Sequence, residues 1–101
     1  MTKSARSHDE AMIARLRTKP AFAVEYLKAA LEEGNEPAVL LTALRRIAEA
    51  RGGMSEIAKA AGVERESLYR ALSPKGNPRL STLVAVTKAL GLNLTVEPMR
   101  S

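Results

Sequence analysis

Along most of this 101-residue chain, apolar residues return every three or four positions, the repeat of a helix with one face turned inward. Gly, Pro and Asn cut the pattern into six blocks. The spacing predicts a first, short helix over residues 9–17, with Met12, Ile13 and Leu16 on one side and Asp9 and Glu10 at the positive end of its dipole. A second helix opens at Pro20, carries Phe22, Tyr26, Leu27, Ala30 and Leu31 on one stripe, and stops at Gly34. Asn35 suits the cap of a third, in which Leu40, Leu44, Ile47 and Ala48 recur until Gly52 and Gly53. Leu41 and Ala43 widen that stripe and predict a central helix. Residues 54–61 and 65–72 form a fourth and a fifth, and the three residues between them force an angled pair. After a loop with two prolines and a glycine, Leu80, Leu83, Val84, Thr87 and Leu90 mark a sixth helix ending at Gly91. The expected fold is all-α, a small bundle of five to six helices.

The period changes at the end of the chain. In residues 92–98, Leu92, Leu94 and Val96 alternate with Asn93, Thr95 and Glu97 before Pro98, which predicts a short β-strand. No second strand is legible, and a solitary strand leaves its N–H and C=O groups open. The expected partner is its counterpart in a symmetric homodimer, with Leu92, Leu94 and Val96 in the contact. The alternative is a frayed tail lying on the bundle.

Composition narrows the chemistry. The chain has no cysteine, which removes disulfides, thiolate metal sites and cysteine nucleophiles. Its one histidine, His8, stands in a polar stretch and reads as a surface residue rather than a base. With no Gly-rich phosphate loop, paired carboxylates or metal-ligand spacing, the expectation is a protein that is not an enzyme and needs no cofactor. No apolar run approaches the roughly 20 residues of a membrane span, and the first residues lack the apolar core of a secretion signal, so the expected location is the cytoplasm. Sixteen Lys and Arg against eleven Asp and Glu give a net charge of +5, which makes a polyanion the first partner to consider. Aromatics are only 3% and do not interleave with the basic residues, which argues against single-stranded RNA and leaves duplex DNA.

The strongest constellation is MSEIAKAAGVERESLYRAL, residues 54–72, which has the layout of a helix-turn-helix. Two helices crossing closely need a small residue at the contact, which Ala58 supplies. The turn needs a residue tolerant of positive φ followed by an apolar anchor, which Gly62 and Val63 supply. With Ile57, Ala61, Leu68 and Ala71 facing inward, helical geometry turns Arg65, Glu66, Tyr69 and Arg70 outward from the second helix. An arginine there can fork onto guanine O6 and N7, and Glu66 can accept from cytosine N4 or orient an arginine. The following loop adds Lys75, Asn77 and Arg79, so residues 65–79 carry four positive charges against one negative. Ser55, in the first turn of the first motif helix, is a candidate phosphate contact.

The strings PAFAVEYLKAALEEG, from Pro20, and ALRRIAEARGGMSEIAKAAGVERESLYRALSPKGNPRLSTLVAVTKALGLNLTVEP, to Pro98, resemble the HigA-like addiction-module antidotes, which are lambda-repressor-like helix-turn-helix proteins. The pairing of ESLYRAL with GNPRLSTL is the most specific part of the likeness. The resemblance implies an antitoxin of a type II toxin–antitoxin pair that binds a small RelE/ParE-like toxin and represses the operon they share. It carries the recognition-helix positions onto Arg65, Glu66, Ser67, Tyr69 and Arg70, and the loop positions onto Lys75, Asn77 and Arg79. In one place this chain departs from the pattern: a serine cap commonly precedes the recognition helix, and here Glu64, a poorer cap, stands in its place.

The expected organisation is an N-terminal helical extension (1–34) for the toxin, a DNA-binding domain (35–91) and a C-terminal strand and tail (92–101). Met12, Ile13, Leu16, Phe22 and Tyr26 are the candidate toxin anchors, with closure of the bundle as their alternative role. As a homodimer, the protein would set two recognition helices about 34 Å apart on a palindromic operator. Two other readings stand beside this one: an orphan regulator without a toxin, and a toxin-neutralising module that binds DNA weakly.

Overall fold

The computed structural model describes residues 3–33 and 36–99, and among these the chain forms six helices and no strand. They are α1 (Lys3–Thr18), α2 (Phe22–Glu32), α3 (Pro37–Ala50), α4 (Met54–Ala61), α5 (Arg65–Ala71) and α6 (Leu80–Ala89). None of the described helices is long and apolar enough to cross a membrane. The all-helical expectation holds. Gly34 as a stop and Asn35 as a cap lie outside the described residues; α3 is entered through Glu36, in extended backbone, with Pro37 in its first turn.

α3 is the central element. Leu41, Ala43, Leu44, Ile47 and Ala48 are buried, and the helix packs against α1, α2 and α4. α4 in turn packs against α5 and α6. One apolar core runs through both groups, from Leu16 on α1 and Leu27 on α2 to Met54, Ile57, Leu68, Leu72, Val86 and Leu90. It therefore passes without a break across the boundary expected between residues 34 and 35.

Polar bonds tie this core together at two places. The Asp9 carboxylate accepts from Arg46 Nε at 2.6 Å and from Arg45 Nη2 at 3.1 Å, while Arg46 Nη1 donates to the Tyr26 hydroxyl at 2.9 Å. The carboxylate thus links α1 to α3, and Arg46 links α3 to α2. Burial acts to raise the Asp9 pKa, but the hydrogen bond from Arg46 and the charges of Arg45 and Arg46 outweigh it and hold the pKa below its ordinary value. The second tie is Arg51, at the end of α3, whose guanidinium donates to the carbonyls of Leu90 and Pro20. A cation there also meets the negative end of α6.

Several expectations are corrected. The first helix is longer than residues 9–17, because the preceding residues are mostly polar but compatible with a helix, and no large apolar residue marks their turns. Asp9 and Glu10 are consequently not in the first turn of α1, and Asp9 serves the ion pairs instead. Pro20 lies in the turn before α2 rather than at its start, with Phe22 N–H donating to Lys19 O. On α2 the buried residues are Ala23, Leu27 and Ala30, and Leu31 is half exposed. Leu80, assigned to the buried stripe of α6, is 72% exposed, while Val86 is in the core.

The C-terminal strand does not form, and residues 92–99 carry no regular structure. The physical reason lies at the end of α6. Gly91, with φ +78°, and Leu92 donate back to Lys88 O and Thr87 O, closing the helix in a Schellman turn, and Leu92 packs on the core. The first residue of the alternation is therefore already committed to the helix end. Beyond it, Val96 faces solvent and Leu94 is half exposed in a concavity it lines with Val24, Leu27 and Leu31, with no neighbouring strand among the described residues to complete a ladder.

Candidate nucleic-acid interface

Two short helices meeting through Gly62 build the candidate site. Gly62 has φ +74° and donates to Lys59 O, while Val63 N–H reaches Ala58 O at 2.9 Å. This closes α4 in the same kind of turn and seats the half-buried Val63 against the core. Ala58 is 2% exposed where α4 meets its neighbours. α5 has seven residues, too few to hold a helix in water by itself; Leu68, with no exposed surface, and Leu72 fix it to the bundle. Glu64 precedes it in extended backbone without a side-chain capping bond, as the departure at that position led one to expect.

Fixing Leu68 inward settles the opposite face. Arg65, Glu66, Tyr69 and Arg70 are exposed and together line one shallow concavity. Ser67 is half-buried and does not line it. Lys75, Asn77 and Arg79 are exposed in the loop that follows. The ion pairs among the described residues both belong to Asp9, so Arg65, Arg70, Lys75 and Arg79 keep their charges uncompensated by a carboxylate within 4 Å. The Arg65 guanidinium lies over the Tyr69 ring, 5.4 Å from its centroid.

Gly76 holds the loop in place. A Cβ added there would stand 2.2 Å from Ala71 O and 2.7 Å from Arg70 O, so only glycine lets the loop backbone press on the end of α5. Ser73 donates its hydroxyl to Arg70 O at 2.8 Å, and Gly76 N–H closes the turn onto Ser73 O. Lys75 and Asn77 are thereby held beside the last turn of α5. Ser55 is exposed in the first turn of α4.

The residues considered for a protein partner fall differently. Leu16 is 1% exposed and belongs to the core. Met12, Phe22 and Tyr26 are half-buried and packed on the core, Tyr26 also accepting from Arg46. Phe22 carries the Arg15 guanidinium over its ring at 4.2 Å. Ile13 is partly exposed. His8 is exposed on α1.

Periodicity could not find Asp9, Arg45, Arg46 or Arg51 as structural groups, because a charge at helical spacing carries no mark of its partner. It missed the exposure of Leu80 because an apolar residue at a helix start satisfies the repeat whether or not anything covers it.

Among the described residues, the site is a basic helix and loop without ion pairs on the surface of a helical bundle. Residues 8–98 match the family described as probable addiction module antidote protein, and the chain belongs to that family. It is also 48% identical over 75 residues to an uncharacterized protein of Haemophilus influenzae, the alignment covering 74% of this chain and 75% of that one. No solved structure matches the chain.

Proposed function

We propose that this protein is the antitoxin of a type II toxin–antitoxin system, that it binds operator DNA as a homodimer to repress its own operon, and that it neutralises a RelE/ParE-like toxin by direct binding. Membership of the antidote family supports the antitoxin role. The observation that carries the DNA reading is the set of uncompensated basic groups, Arg65 and Arg70 on the solvent face of α5 with Lys75 and Arg79 in the adjoining loop. In this reading α4 and α5 are the two arms of a helix-turn-helix. α5 lies in the major groove, its arginines reading guanine edges, while Ser55 and the loop contact phosphates. The exposed Leu80 beside Arg79 is suited to apolar contact with a sugar or a thymine methyl. Nothing in this role asks for catalysis.

The dimer contact is not a pair of C-terminal strands. Met12, Ile13, Phe22 and Tyr26 stay candidates for the toxin face, and Leu16 enters only if the bundle opens. Mobility shift with the DNA upstream of the protein's own gene, with light scattering for the oligomeric state, tests the DNA and dimer readings together. Specific retardation by a dimer is expected; equal affinity for unrelated duplexes would refute the operator reading. Co-purification with the product of the adjacent gene tests the toxin reading.

A second reading, a toxin-neutralising module that binds DNA weakly, is favoured by Glu64 and Glu66, both exposed at the start of α5 where they would face phosphates. In that case the toxin complex forms while the shift is weak at every sequence.

A further inference from the structure

We infer that Tyr69 is a positioning residue for Arg65 rather than an independent reader of bases, and that the cation–ring pair gives the protein its preference for guanine at one operator position. This rests on the DNA reading proposed above.

A guanidinium on an exposed helix start has many rotamers, and a bidentate contact with guanine O6 and N7 needs its plane held in one orientation. The usual device is a carboxylate that accepts from the guanidinium. Here Glu66 is the immediate neighbour, yet it forms no ion pair with Arg65, and the ion pairs among the described residues are elsewhere. Tyr69 takes that part. It stands four residues further along α5, the spacing that brings two side chains onto one face, and its ring lies under the guanidinium with 5.4 Å from centroid to cation. A ring below the guanidinium restrains where it sits without consuming any N–H donor, so the edge that would fork onto guanine stays free. A carboxylate partner would have occupied it. Tyr69 is also 42% exposed while lining the same concavity as Arg65, so the pair is formed at the surface that a groove would cover, not inside the bundle.

The test uses the full-length protein and duplexes selected by it from a randomised pool, each then remade with single G·C pairs replaced by A·T. Arg65→Ala is expected to abolish the preference at one G·C position. Tyr69→Leu is expected to weaken the same preference about two- to fivefold, the size of an exposed cation–π contact. Tyr69→Phe keeps the ring and is expected to restore it. In an Arg65→Ala background Tyr69→Leu is expected to change nothing further. Proton chemical shifts of the Arg65 side chain, displaced by the ring in the free wild-type protein and in Tyr69→Phe, should return to ordinary values in Tyr69→Leu.

If Tyr69→Leu costs the same with and without Arg65, Tyr69 contacts the DNA by itself and the inference fails while the DNA reading stands. Unchanged shifts in Tyr69→Leu would likewise overturn the pairing. A wild-type protein that selects no sequence would overturn the DNA reading and this inference with it.

Discussion

At single positions, the most informative side chain is one that is missing. Gly76 has no Cβ, and the space a Cβ would take is already filled by the carbonyls of Ala71 and Arg70. Gly76→Ala should force the loop off the end of α5 and lower stability by about 1–3 kcal/mol, the cost of overpacking, measured by urea denaturation. The accompanying shift of Lys75 and Asn77 should weaken binding to all duplexes alike. Asp9 answers to pH. Its pKa is lowered on folding, so the stability it contributes is complete above the ordinary carboxylate pKa and disappears as pH falls through the still lower folded value. Asp9→Asn should cost about 0.5–1 kcal/mol at neutral pH, in line with partly exposed pairs, and the difference from wild type should vanish in acid. Arg70→Ala should relax base preference and leave non-specific binding largely intact; a uniform loss over all sequences would make Arg70 a phosphate contact.

Among the elements, α5 depends on its neighbours. Seven residues without a side-chain cap make no stable helix alone, and Leu68 is its buried anchor. Leu68→Ala should destabilise the protein by about 2–5 kcal/mol and release Arg65, Tyr69 and Arg70 from their common face, with loss of specific retardation ahead of global unfolding by circular dichroism. Much of this pair was legible in the sequence, because Gly62 and Val63 announce a helix end that depends on local backbone geometry and little else. The strand at residues 92–98 was misread for the converse reason. Alternation describes which side chains share a face, but a ladder needs a second backbone, and that information is not local. Leu80 and Leu31 show the same limit within helices, where the repeat locates a stripe but not what covers it.

For the whole molecule, charge and core divide the tasks. The net charge of +5 includes the net +3 of residues 65–79, so most of the imbalance sits on one helix and one loop. If the protein binds duplex DNA as proposed, with about four to six phosphate contacts per subunit, the logarithm of affinity should fall steeply against the logarithm of salt, by about 0.9 for each phosphate neutralised. Removing residues 93–99 should leave helical content unchanged by circular dichroism, since all of them are exposed and carry no regular structure.

Arg51 has a wider effect than its two hydrogen bonds suggest. Its single guanidinium fastens the turn at Pro20 to the carbonyl of Leu90, which caps α6, segments about seventy residues apart in the chain. Loosening either end frees the guanidinium from one of its two anchors and so weakens its hold on the other, which should make the two open cooperatively. In native-state hydrogen exchange the amides of Phe22 and Leu92 should open with the same free energy, and Arg51→Ala should let them exchange independently.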